Sequence, residues 1–167
     1  DLSEPLRDRF GIVAKLNFYS IQELSEIIQR TSKVYHMPLT QDASNAIASR
    51  SRGTPRIANR FYRRVRDFAS FQKKSTIDLP LVLSTMDALG IDGLGLDDSD
   101  RKILETMIDR FSGKPVGVNS IAAAVGEDAQ NILDVYEPYL IQSGLIDRTA
   151  RGRVPTKLAY QHLGKQE

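Results

Sequence analysis

The sequence contains no cysteine, which excludes disulfides, thiol catalysis and thiolate zinc sites. It has two histidines, His36 and His162, far apart and without a carboxylate pattern around them, so no metal site is expected. No stretch approaches the roughly eighteen apolar residues of a membrane span, and the N-terminus has no apolar signal core. Neither insertion nor export is supported, and the cytoplasm is the default expectation. A G-x-x-x-x-G-K-[ST] loop is missing too: GLGL at 93–96 lacks the lysine and opens no helix, so it cannot cradle phosphates. No Ser-His-Asp, carboxylate-dyad or metalloprotease spacing stands out. Charge excess is small as well, at net +2 with a pI of about 8.9, so composition does not choose the partner and the placement of charges must.

What is present is mostly helix. At 41% hydrophobic residues the chain can bury a core as one ordinary domain or two small ones. Ser20 and Glu23 form a capping box before IQELSEIIQRTSKVY, in which Ile21, Leu24, Ile27, Ile28 and Val34 repeat at helical spacing. Thr40 can cap QDASNAIASRS, Thr54 with Pro55 starts an arginine-rich helix to about Phe71, and Asp78 caps a helix to about Leu89. Next comes GIDGLGLDDSD, with three glycines and four aspartates, which reads as a hinge between Gly90 and Asp97. Three helices follow, the last closing at Gly144. LIDRT and RVPT then flank the turn residues Ala-Arg-Gly, and a short helix follows Thr156. Three helices and a hairpin make a winged helix-turn-helix pattern, in which the third helix typically enters a groove. The opening DLSEPLRDRFGIVAKLNFY lacks an initiator Met and holds an extended run without visible partners, so the sequence is expected to start inside a larger domain.

Three arginine groups stand out. RSRGTPRIANRFYRRVR places seven arginines in seventeen positions. With Thr54 as N-cap, Arg56 adds charge to the positive end of a helix, a cost of about 0.3–1 kcal/mol unless an anion reverses it. The alternative is a surface arginine reaching back to Asp42. Arg52, Arg56, Arg60 and Arg63 can share one face, either a solvated basic surface or a nucleic-acid helix, while Ile57, Phe61, Val65 and Phe68 form the apolar stripe. On the hairpin, Arg148, Arg151 and Arg153 surround a glycine turn, which suits either phosphate contact or a plain soluble turn. Tyr136 and Tyr139, on the helix before it, read as core or subunit contacts. Arg7 and Arg9 read from the residues alone as solvated.

Taken together, PLRDRFGIV, RSRGTPRIANR, RRVRDF, GLDDSDRKIL, KPVG, VYEPYLIQSG and RTARGRV closely resemble the RuvB family, hexameric AAA+ motors that drive branch migration at Holliday junctions. The resemblance runs from Leu2 to Leu163. It implies a mostly α fold: the tail of a large ATPase domain (1–19), an AAA+ small helical lid domain (20–90), a hinge (91–96) and a winged-helix DNA-binding domain with a small β-hairpin (97–167). The family's P-loop, its Mg-binding aspartate and the hairpin that docks RuvA would precede residue 1. ATP or ADP with Mg is therefore a cofactor of the full-length helicase, not one held tightly by this chain, which is expected to be inactive alone.

By the same resemblance, Arg9 matches the arginine finger, which reaches ATP on a neighbouring subunit, Tyr19 a residue of the adenine pocket, and Arg56 the sensor-2 arginine. Arg148 and Arg153 match DNA-contacting wing residues, with Arg151 between them. The implied partners are double-stranded DNA at four-way junctions, the other subunits of a homo-hexamer, a RuvA-type junction-binding protein and a RuvC-type resolvase, with no membrane. Two positions depart from the family pattern. Ala150 stands where a proline is usual, which is expected to loosen the wing, and Gly113-Lys114 stands where a glycine pair is usual. The competing readings are an initiator-type AAA+ protein reading an origin, a sequence-specific winged-helix regulator, and a module that binds only protein. The regulator leaves PLRDRF and GTPR unexplained.

Overall fold

Ser20 opens the first helix by a reciprocal pair of bonds: its N–H donates to Glu23 Oε2 at 2.8 Å, and the Glu23 N–H donates to Ser20 Oγ at 3.1 Å. The computed structural model describes residues 18–166. Arg7, Arg9 and the extended run GIVAKLNF lie outside the described residues.

Helix α1 (Ile21–Val34) is followed by α2 (Gln41–Ser49), α3 (Pro55–Phe71) and α4 (Leu79–Ala88). Thr40 and Asp78 cap α2 and α4 through their side chains. Leu24 and Ile28 of α1 pack with Ile47, with Phe61, Tyr62 and Val65 of α3, and with Leu81, Val82 and Met86 of α4 in one buried cluster. The expected stripes shorten at their ends: Ile21, Val34 and Phe68 are exposed. Leu39 bridges Ile77, which ties the α1–α2 loop to the α3–α4 loop, and the Tyr62 hydroxyl donates to the Met37 carbonyl at 2.9 Å.

A second cluster forms from Leu96 onward. Helix α5 (Asp98–Glu105) starts at a capping box between Asp97 and Asp100 and runs into a π-helical turn, Thr106–Arg110. Helix α6 (Val118–Val125) ends at Gly126 in the left-handed region, φ 78°. The expected continuous third helix is divided into α7 (Ala129–Asn131), a π-helical turn (Ile132–Tyr136) and α8 (Glu137–Gln142). Pro138 has no N–H to give, and its ring crowds the carbonyl four residues back, so the helix widens there. Strands β1 (Ile146–Thr149) and β2 (Gly152–Pro155) pair antiparallel across Ala150-Arg151, and α9 (Lys157–His162) follows. Val116 also pairs with Arg153, its N–H donating to the Arg153 carbonyl at 3.0 Å and its carbonyl accepting at 2.8 Å. This close approach needs Gly152, where a Cβ would lie 2.6 Å from the Val116 carbonyl oxygen.

The glycine-aspartate segment expected as a hinge is hydrogen-bonded at Asp92, Leu94, Gly95 and Leu96. Asp92 accepts from the N–H groups of Leu94 and Leu96 at 2.9 and 3.0 Å, from Arg101 at 3.3 Å, and pairs with His162 at 2.8 Å. Burial alone would raise the Asp92 carboxyl, but the His162 and backbone hydrogen bonds outweigh it and hold it below the ordinary carboxylate range. Gly95 sits at φ 78°, with the position of a Cβ only 2.3 Å from the Arg50 carbonyl oxygen. In a free hinge Gly95→Ala would be neutral or stabilising by about 0.4–1 kcal/mol; against Arg50 and in the left-handed region it should cost more than that. Urea unfolding checks this, and an unchanged or raised midpoint would contradict the docked segment.

Candidate phosphate-contact and nucleic-acid interface

The arginine-rich stretch divides at the α2–α3 loop. Arg52 lies outside the basic face that its spacing suggested, because its backbone turns into the left-handed region (φ 56°) ahead of Gly53 and Thr54. Its guanidinium makes paired bonds to Asp100 at 3.0 and 3.1 Å and lies 4.4 Å from the centre of the Tyr139 ring. Tyr139 thus contacts the α2–α3 loop through Arg52, while its hydroxyl donates to the Leu94 carbonyl at 2.5 Å. Burial pushes the Asp100 carboxyl up to about 6, even though the Asp97 N–H and Arg52 both favour its charged form.

Arg56 stays exposed at the start of α3, and among the described residues it has no ion pair. Thr54 occupies the N-cap position, but its hydroxyl donates to the Arg52 carbonyl at 3.2 Å and leaves the first-turn N–H groups without a side-chain cap. The alternative partner, Asp42, is engaged by the Thr40 hydroxyl and the Ala43 N–H, which hold its carboxyl below the ordinary range. Arg56, Arg60 and Arg63 line an open cleft of about 440 Å³ with Thr54 and Ile57. Tyr19 is brought to the same end: its N–H donates to the Gly53 carbonyl at 2.9 Å, three residues before Arg56. The cleft is a cationic pocket over open backbone donors, and its chemistry fits an anion.

On the hairpin the three arginines part company. Arg148 has 61% of its side chain exposed, and Arg151 is exposed at the turn. Arg153, expected to contact DNA, is instead withdrawn: its side chain is 11% exposed and makes paired bonds to Glu137 at 2.7 and 3.1 Å. The register explains why. Arg148 and Arg153 are direct cross-strand partners on one face, a repulsive arrangement unless a carboxylate lies between them. Glu137 is that carboxylate: its Oε1, which also accepts from Arg153, lies 3.6 Å from Arg148. Ala150 does not leave the turn slack, because the Thr149 hydroxyl donates to the Gly152 carbonyl at 2.8 Å and accepts the Arg151 N–H at 3.2 Å.

The helix that usually enters a groove carries the wrong charge for it. Residues 127–142 include Glu127, Asp128, Asp134 and Glu137 and no lysine or arginine. The exposed cations of this half lie off that segment: Arg148 and Arg151 on the hairpin, and Lys102, Arg110, Lys114 and Lys157 elsewhere. Lys114, which stands where the family pattern has a glycine, lies two positions from the Val116 strand edge.

A small helical domain with an arginine at an open helix start, joined to a winged helix with an arginine-bearing wing, has the architecture of an AAA+ lid followed by a winged-helix domain. The RuvB AAA lid domain matches residues 19–92, and the RuvB C-terminal winged helix domain matches residues 93–164. The chain belongs to the RuvB family. The Holliday junction branch migration complex subunit RuvB of Thermosipho melanesiensis is 55% identical over 163 residues, which cover 98% of this chain and 52% of that protein. The RuvB subunit of Microcystis aeruginosa is 50% identical over the same length, covering 46% of it. The structure of the Thermotoga maritima RuvB Holliday junction branch migration motor superposes with a TM-score of 0.95 at 49% identity, over 99% of this chain and 56% of that one. The chain therefore spans about half the length of the relatives it matches.

Truncating Arg153 strands a buried Glu137. Arg153→Ala should lower stability by about 3–5 kcal/mol, whereas Arg151→Ala should stay within about 0.5 kcal/mol. Equal, small effects on chemical unfolding would contradict the structural role of Arg153.

Proposed function

We propose that this chain supplies the nucleotide-facing lid and the DNA-gripping winged helix of an ATP-driven hexameric motor that moves four-way DNA junctions. The observation that carries the reading is the placement of exposed cations. Arg148 and Arg151 are exposed on the wing and Arg56 at the start of α3, while residues 127–142 carry no lysine or arginine. Such a surface holds phosphates and repels the duplex from the helix that would read bases, so binding is independent of sequence. That favours a translocating grip over the sequence-specific regulator and the origin-reading initiator.

The open N–H groups of α3 and the Arg56 guanidinium fit the phosphates of ATP or ADP, and Tyr19, whose N–H is tied to Gly53, would flank the base. When bound, ATP supplies the free energy of a phosphoanhydride bond. Arg56 then reports the charge on the phosphates to the lid, and Arg9 stabilises charge on the neighbouring subunit's nucleotide. Mg would be held, on this reading, by an ATPase core and not by the lid or the winged helix. On this reading the chain is inactive alone and the complete protein is a cytoplasmic ATPase, working with a RuvA-type junction binder and a RuvC-type resolvase.

Fluorescence anisotropy with duplexes of unrelated sequence and with a four-way junction tests the DNA half. Duplex affinities should agree within about threefold and fall with salt at a slope of about −0.9 per neutralised phosphate. Arg148→Ala and Arg151→Ala should each reduce that slope by about one. A hundredfold preference for one duplex sequence, or a slope unchanged in both variants, would overturn the assignment.

A further inference from the structure

The phosphate-facing end of the lid and the winged helix meet in one side chain. Arg52 stands four residues before Arg56, in a loop with little freedom. The buried Ser51 hydroxyl donates to the Ile47 carbonyl at 2.6 Å, the Thr54 N–H to the Ser51 carbonyl at 3.0 Å, and the Thr54 hydroxyl to Arg52 itself. Gly53 is pressed against Phe18, with the position of a Cβ 2.7 Å from the Phe18 Cβ, and its carbonyl holds the Tyr19 N–H. A non-glycine residue at φ 56° persists only where its surroundings over-determine it. Here three parts of the second cluster do so. Asp100 takes both guanidinium bonds while also accepting the Asp97 N–H at 3.0 Å, so the same carboxylate starts α5. Tyr139 of α8 covers the guanidinium and bonds the linker at Leu94. Gly95 brings that linker against the Arg50 carbonyl.

We propose that Arg52 is a positioning residue that fastens the phosphate-facing loop of the lid to α5 and α8, so that lid and winged helix turn as one lever. Asp100 is 0% exposed, and burying such a pair adds little stability for the desolvation it costs; what the paired geometry adds is a fixed orientation. The lever reaches the DNA-facing side directly. Tyr139 lies two residues after Glu137, which holds Arg153 and faces Arg148. A movement imposed at Arg56 passes through Arg52 and Tyr139 to the carboxylate that orients the wing. The coupling to nucleotide rests on the phosphate reading of Arg56, whereas the rigid joint between the two clusters does not.

The absence of cysteine allows two spin labels to be placed without background, at the exposed Lys33 of α1 and Lys157 of α9, each replaced by cysteine. Electron–electron double resonance should show one narrow distance in the otherwise unaltered chain. Arg52→Ala combined with Asp100→Asn leaves no buried charge and keeps an acceptor for the Asp97 N–H; it should at least double the width of the distribution. Arg52→Lys, which cannot make paired bonds, should fall between the two. A distribution as narrow in the double variant as in the parent would overturn the joint. In the full-length motor, the double variant should keep basal ATP hydrolysis and lose most of its stimulation by DNA. Broadened distances with full stimulation would overturn the coupling while leaving the joint in place.

Discussion

The contact between the Arg52 guanidinium, the Asp100 carboxylate and the Tyr139 ring is the constraint from which the rest of this molecule takes its arrangement. Each half has its own buried cluster, one around Leu24, Ile47 and Tyr62, the other around Leu96, Leu104 and Leu140. Hydrophobic burial within each cluster does not orient one against the other. A planar guanidinium held edge-on by a carboxylate and face-on by a ring does, because all three groups must keep distance and angle together. The bonded linker supports this: Asp92 gathers Arg101 and His162 around the same turn.

A second carboxylate does for the wing what Asp100 does for the joint. Glu137 lies between two arginines that the strand register sets opposite each other, burying one and leaving the other in solvent. The wing therefore presents Arg148 and Arg151 from a braced hairpin. On the proposed reading, grip without base reading suits a motor stepping along arbitrary DNA, and Asp128 and Asp134, exposed between 127 and 142, agree with it.

The features legible in the sequence were those made by neighbours in the chain. The Ser20–Glu23 box and the Thr40 and Asp78 caps act over three residues, and helical periodicity reports a buried face directly. Features made across the chain were read less well. Composition marked residues 91–96 as loose, because glycine and aspartate are loose in an isolated peptide; the partners that tie Asp92 down are nine and seventy residues away. Spacing put Arg52 on a helix face, although the loop turns left-handed before the helix begins. Arg153 looked as exposed as Arg151 until the two-residue turn fixed the register and brought Glu137, sixteen residues earlier, onto the same face. The RuvB resemblance named the right family for both halves. It could not show that one wing arginine braces the hairpin instead of pointing outward.

The account stands or falls on the two halves moving together. Backbone ¹⁵N relaxation measured along the chain tests this without a label, a nucleotide or DNA. A single rotational correlation time, that of the whole chain, should fit α1 to α4 and α5 to α9 alike. Two distinct, shorter times, each suited to a half-sized particle, would contradict it.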